Sequence, residues 1–323
     1  MKNNILIIRN FNLGDIIVSI SALRYIKKKF SNEKITLLTF NKLNNYNEYL
    51  KLINSDKKVI DEIIYINFNG LFNIRQNYKN FIFLRKFSEI IYLTDESRSL
   101  YKRIRNYLLL HLVNTKNNIK IFDKKKYSNN KNEAFILAQK INKELTQLKF
   151  LNEYKIKKKF KIKNHEIKKK IKNNYEYITI SFGGESSPVK WKLSNWKLLF
   201  KYFEQYPKIK IILVGNQNDY ILSKKFMFVS KVQVINFCGI TSILDTCYLI
   251  QNSKLHISND NGSMHLANIL GTKTISLFHT HNPKGKWESL DKKSIKLRNK
   301  DGINSISIYK LIKNIDNLKI LIT

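Results

Sequence analysis

Three groups of residues in this 323-residue chain have the types and spacing to do chemistry. The first is Asp260-Asn261-Gly262 followed three residues later by His265. It lies between a short apolar run, Leu255 to Ser258, and a helical pattern from Ser263 to Leu270 that Gly271 stops. A turn that joins a strand to a helix start offers unpaired N–H groups and the positive end of the helix dipole, so it suits a phosphate. Gly262 lets the backbone approach a ligand, Asp260 supplies an acceptor, and His265 a donor that switches with pH. The same residues also read as an ordinary helix cap and a surface histidine.

The second group is Gly14-Asp15, directly after the apolar run Asn4 to Ile8 and a loop from Arg9 to Gly14. Asp15 opens a helix whose Ile16, Ile20, Leu23 and Phe30 share a face, with Lys27, Lys28 and Lys29 at its negative end. A carboxylate at a helix start is favoured in its charged form, ready either to take a proton from a hydroxyl or simply to cap the helix. The third group is Gly183, Ser186, Ser187 and Lys190, in which hydroxyls and a cation precede a helix. Fixed donors of that kind lower the barrier to the departure of a phosphate, although Ser186-Ser187-Pro188 is also a plain turn and Lys190 also a solvated lysine. Trp191 and Trp196 read as core anchors. No His or Cys cluster has metal-ligand spacing, so no metal is expected, and Cys238 and Cys247 read as reduced, buried side chains.

The elements that must position these groups alternate strand and helix twice. The first series runs through Lys34 to Thr39, Leu43 to Ile53, Glu62 to Ile66 and Glu89 to Leu93. The second begins at Tyr177 to Ser181 and continues through Asn195 to Phe203, Ile209 to Val214, Tyr220 to Phe228, Val232 to Phe237 and Ser242 to Gln251. Repeated β-α units imply mostly parallel sheets. A lysine-dense stretch from 150 to 174 separates the two series, which gives domains over 1–160 and 175–323 with a basic linker over 161–174. Substrates commonly bind in the cleft between two such domains.

A hydrophobic content of 43% indicates a globular chain, and no apolar run reaches the roughly 18 residues of a membrane span. Arg9 and Asn10 interrupt the first apolar run where a signal peptide needs a longer one, so a cytoplasmic protein is expected. The net charge of +35, from 59 Lys plus Arg against 24 Asp plus Glu, would attract nucleic acid or an anionic membrane face. It is spread along an Asn- and Ile-rich chain and reads equally as a composition bias. Phe81, Phe83 and Phe87 are either membrane-facing aromatics or, more simply, core residues.

Taken together, IRNFNLGDIIVSISALRYIKKKF, ISFGGESSPVKWKLSNW, ILVGNQND, CGITSILDTCYLI and SNDNGSMHLANILGTKTISLF resemble, in order and spacing, segments of glycosyltransferase family 9, the heptosyltransferases and relatives of lipopolysaccharide core synthesis. The resemblance implies an α/β fold of GT-B architecture, two Rossmann-like domains facing a central cleft. It implies an inverting, metal-independent transferase with Asp15 as general base. Asn12 and Gly14 fall to the acceptor side, and Gly183, Ser186, Ser187, Lys190, Asp219, Thr241, Asp260, Asn261, Gly262 and His265 to the donor, with Asp219 near the nucleotide ribose. The implied substrates are a nucleotide diphosphate sugar, ADP-heptose first, and a lipid-linked saccharide. No cofactor, no specific nucleic acid and a monomer are expected. Three positions depart from the family: Lys190 directly precedes Trp191, Asn261 stands for a usual threonine, and Phe278-His279-Thr280-His281-Asn282-Pro283 replaces Phe-Gly-Pro-Thr-Asp-Pro. A nucleic-acid-binding protein is an alternative, but no recognition helix, RNP-like aromatic pair or zinc module is present in the sequence. A nucleotide-sugar binding protein or epimerase on the same plan is another.

Overall fold

The computed structural model describes residues 4–9, 12–40, 42, 45–66, 82–93, 118–121, 132–171, 176–183, 191–224, 231–280 and 282–320. They form two compact units, Met1–Phe150 and Leu151–Thr323.

The first unit contains β1 (Asn4–Ile8), α1 (Leu13–Lys29), β2 (Lys34–Thr39), α2 (Tyr46–Ile53), β3 (Glu62–Tyr65), β4 (Glu89–Tyr92), β5 (Asn118–Ile121) and α3 (Glu133–Ile141). Its five strands are all parallel, in the order β3-β2-β1-β4-β5. β1 is central, and its run of Ile5, Leu6, Ile7 and Ile8 is fully buried, as a strand covered on both faces requires. α1 packs against α3, a helix with no counterpart in the sequence reading. Phe83 and Phe87 stack edge to face with centroids 5.4 Å apart and join a core cluster with Leu6, Ile8, Leu38 and Ile90. They are core residues. Phe81 lies outside the described residues.

α4 (Gln147–Tyr154) runs across the unit boundary. The second unit then takes up α5 (His165–Lys170), β6 (Glu176–Ser181), α6 (Leu193–Phe203), β7 (Ile209–Leu213), α7 (Gln217–Ser223), β8 (Val234–Asn236), α8 (Ile243–Gln251), β9 (His256–Asn259), α9 (Gly262–Leu270), β10 (Thr274–Leu277), β11 (Ser294–Leu297) and α10 (Ile308–Asn317). Six parallel strands lie in the order β11-β10-β9-β6-β7-β8. α6 buries Trp196, Leu199, Phe200 and Phe203 on the sheet, each contributing about 1.5–3 kcal/mol of apolar burial. Trp191 Nε1 donates to the Ile306 carbonyl at 2.8 Å, and Trp191 and Trp196 meet edge to face, so both are core anchors.

The lysine-rich stretch belongs with this second unit. The Ile156 N–H donates to the Ile269 carbonyl, that of Phe160 to Gln251 Oε1 and that of Lys163 to Asp245 Oδ1, at 2.9, 3.0 and 3.0 Å. Its backbone and its few apolar residues make the contacts, while Lys157, Lys158, Lys159, Lys161 and Lys163 are exposed. Such a strap has no helical or strand periodicity to read.

Both sheets share one plan. The chain enters on a central strand, winds outward to one edge, then returns to the other side of that strand. The switch points lie between β1 and β4 in the first unit and between β6 and β9 in the second. In open parallel sheets ligands collect at the carboxyl ends of strands at such a point.

Candidate active site

At the first switch point, Asp15 is the third residue of α1, and Oδ2 of its carboxylate accepts the Asn12 N–H at 3.2 Å. Arg9, at the end of β1, is almost fully buried. Its Nη1 donates to the Leu93 carbonyl at the end of β4, and its Nη2 lies 3.7 Å from Asp15 Oδ1. The arginine thus ties the two strands of the switch point together and sets a positive charge beside the aspartate. The Asp15 side chain is 33% exposed, so the carboxylate is both held and reachable. Asn12 is exposed and Gly14 half-buried next to it.

The second switch point is a dense polar network. Asn261, the cap of α9, accepts the N–H groups of Ser263 and Met264 at 3.0 and 3.2 Å, and its amide donates to Ser181 Oγ and the Gly183 carbonyl. One side chain therefore closes the start of α9 and fastens it to the end of β6. The His265 N–H is taken by the Asn261 carbonyl, which leaves the Gly262 N–H with no partner among the described residues.

Under this turn, His256 is fully buried on β9. Ser253 donates to the Ile250 carbonyl and Thr179 to Ser253 Oγ, so Thr179 accepts from His256 Nδ1 at 2.9 Å. His256 Nε2 lies 3.0 Å from Ser263 Oγ, whose proton is directed to Asn261 Oδ1 at 2.7 Å. Burial lowers the His256 pKa to about 3 and that of His265 to about 4, so both imidazoles are neutral at pH 7. His265 meets the edge of Trp287, with ring centroids 6.0 Å apart.

Asp260 follows β9 and accepts a hydrogen bond from the Asn282 amide. Burial raises its pKa to about 6, against the lowering effect of Asn282 and the Arg298 charge, while Glu288 adds to the rise. Asp219, only 4% exposed, accepts the Asn216 N–H at 2.9 Å in the capping box of α7. Its carboxylate fills the space beside two glycines. A Cβ on Gly183 would stand 2.1 Å from Oδ1, and one on Gly215 2.3 Å from Oδ2. Thr241 accepts a hydrogen bond from Thr246 at the start of α8. Ser186, Ser187 and Lys190 fall outside the described residues, as does His281.

One unit carries a reachable carboxylate beside a buried arginine. The other carries a turn with an open N–H beside two neutral imidazoles. The family model described as glycosyltransferase family 9 (heptosyltransferase) matches residues 114–308. The chain belongs to glycosyltransferase family 9. The matched residues include every candidate from Gly183 to His265, and begin after Asp15. Lipooligosaccharide heptosyltransferase 2 of Campylobacter jejuni is 26% identical over 269 residues, 82% of this chain and 78% of that one. The structure of E. coli ADP-heptose lps heptosyltransferase II aligns over 98% of both chains with a TM-score of 0.70 at 15% identity. E. coli heptosyltransferase WaaC with ADP-2-deoxy-2-fluoro heptose aligns over 98% of this chain and 99% of that one, with a TM-score of 0.59 at 14% identity. Those likenesses bear on the fold, which is the two-domain GT-B plan.

Within the family frame the departures acquire reasons. Asn261, unlike a threonine, has an amide to spare for Ser181 and Gly183 while its oxygen caps α9. Asn282 sets an amide against Asp260. Sequence reasoning missed Arg9, Thr179, His256 and Arg298 as parts of the site. The available signal was a polar or charged residue at or within an otherwise buried apolar strand.

Proposed function

We propose that the protein transfers a heptose, with inversion, from ADP-heptose to a lipid-linked saccharide of the lipopolysaccharide core type. Family membership and the heptosyltransferase relatives support the transferred sugar. The observation that carries the donor assignment is the β6–β9 switch point, where Asn261 fixes a turn that leaves the Gly262 N–H open. That N–H takes a diphosphate oxygen, and neutral His265 adds a hydrogen-bonding group without a charge. The Asp260 carboxylate accepts from hydroxyl groups of the donor, since a carboxylate repels a phosphate.

In the reaction, the acceptor hydroxyl oxygen attacks the anomeric carbon while Asp15 takes its proton. The bond from that carbon to the diphosphate breaks on the opposite face, and its electron pair leaves on the phosphate oxygen. Ser186, Ser187 and Lys190 add donors to the departing charge. No metal is required in this scheme. Among the described residues no group of three His, Cys, Asp or Glu side chains could hold an ion. No helix among them is long and apolar enough to cross a membrane. The exposed lysines of the 157–163 strap support residence at an anionic membrane face, where a lipid-linked acceptor would be met.

The test is incubation of the protein and EDTA with ADP-heptose and a heptose-deficient lipopolysaccharide core. A heptose-extended product with inverted anomeric configuration is expected. Conversion of the donor without acceptor would instead identify an epimerase or hydrolase, and no turnover with ADP-heptose would remove the donor assignment.

A further inference from the structure

Asp260 does not stand alone at the donor turn. The Asn282 amide donates to its Oδ2. Asn282 belongs to the short turn after β10, in which the Asn282 N–H returns to the His279 carbonyl at 3.3 Å. That turn is gripped from β11. Arg298, the residue after the strand, donates from one nitrogen, Nη1, to the carbonyls of His279 and Asn282 at 3.0 and 2.9 Å. Its Nε pairs with Glu288 Oε1 at 2.6 Å, and its guanidinium lies 4.7 Å from the centre of the Phe278 ring. A fork stacked on an aromatic ring and anchored by a carboxylate has one orientation, a geometry that lysine does not reproduce. The Asp260 N–H, in turn, is held by the Leu277 carbonyl at 3.0 Å, so backbone and side chain of Asp260 are both fixed by the β10 end and its turn.

We propose that Arg298 and Asn282 are positioning residues for the donor sugar: Arg298 locks the 279–282 turn, the turn presents the Asn282 amide, and the amide aims the Asp260 carboxylate. The inference rests on the donor reading above, in which Asp260 receives donor hydroxyls. Neither residue touches the nucleotide phosphates in this scheme. Their effect therefore falls on the sugar and spares the nucleotide.

The test is calorimetric titration of the full chain with ADP-heptose and, separately, with ADP. Asn282→Leu keeps the side-chain size and removes the amide, and Arg298→Met keeps the stem over Phe278 and removes the fork. Each is expected to weaken ADP-heptose about tenfold, the loss of one hydrogen bond to a charged group, with ADP affinity unchanged. The double variant is expected to lose no more than the worse single variant, because both act through one carboxylate. The pH below which ADP-heptose affinity falls should also move upward in Asn282→Leu. That variant loses the amide that favours the ionised carboxylate, while Arg298 and Glu288 keep their opposing effects.

Additive losses, equal loss of ADP, or full rescue by Arg298→Lys would each overturn the proposal. If Arg298→Met does not fold, the Asn282→Leu affinities and pH dependence decide. Asp260→Asn separates the two readings. If it leaves ADP-heptose affinity intact, the donor reading falls. If it weakens affinity while Asn282→Leu does not, only the positioning role falls.

Discussion

The two switch points are built on one backbone plan and filled in opposite ways. At the β1–β4 point a buried arginine and a one-third exposed aspartate stand within 3.7 Å, a charged pair at the edge of solvent. At the β6–β9 point the side chains are mostly buried, the imidazoles are neutral, and both the oxygen and the nitrogen of the Asn261 amide are engaged. A group that must exchange a proton needs access and a tunable charge. A surface that must hold one ligand in one orientation gains from rigid, satisfied hydrogen bonds. On the proposed function, the difference in filling separates a proton-transferring half from a holding half.

The sharpest way to break that division is Asp15→Asn, which keeps the shape of the side chain. It is expected to lower kcat by about 10³-fold while calorimetry shows unchanged ADP-heptose affinity. An equal fall in affinity would put Asp15 in the holding half.

Next in size is Gly183→Ala. A methyl group 2.1 Å from Asp219 Oδ1 forces the carboxylate or the β6 end to move. Denaturant titration should give a loss of about 1–3 kcal/mol, and donor affinity should fall with it. A neutral result would mean that the holding half tolerates displacement.

Acidification probes the same half through its protons. His256 and His265 stay neutral until the pH falls to about 3 and about 4, whereas in the unfolded chain they protonate near 6.5. Between pH 6 and 4 the unfolded state thus gains protons that these native side chains refuse, and stability falls. Asp260 acts in the opposite direction, because it keeps its proton up to about pH 6 in the native state and only below 3.8 in the unfolded one. Two groups against one leave about 1.4 kcal/mol lost per pH unit from these three, measurable as a falling Tm. His256→Leu should flatten that slope.

The smallest effect concerns the strap. Lys157, Lys158 and Lys159 changed together to Glu should weaken sedimentation with vesicles containing phosphatidylglycerol by more than an equal charge change among the lysines of α1. Each lysine removed from an anionic surface is worth about 1 kcal/mol. Equal effects at both places would assign the attraction to net charge alone.

Much of this was legible in the sequence, because the elements that carry the site are also the most buried. The runs at Ile5 to Ile8 and Ile209 to Leu213 are apolar throughout, and Asn261, Asn216 and Asn12 mark helix starts that follow strands. The edge strands were not legible. β5, Asn118–Ile121, and β11, Ser294–Leu297, are four residues each, and both carry a lysine within the strand. Nor was the strap's attachment, which is made largely through backbone N–H groups. Within the candidate site, a motif names Asp260, Gly262 and His265 but says nothing of Arg298, which stands 38 positions from Asp260 in sequence and reaches the turn beside Asp260 because β10 and β11 pair in register. Long-range side-chain-to-carbonyl bonds leave no local pattern.

The entry of the second unit on its central strand also bears on the order of events in folding. β6 can pair with β7 as soon as the short α6 excursion closes, since Glu176 meets Ile209. Its other edge waits for β9, where Thr179 meets His256 across 77 residues. Closing that longer loop is the slower and entropically costlier step. The turn at Asn261 has no floor until it is complete, so a newly made chain acquires half of its sheet before it acquires the turn to which the proposed function assigns the donor.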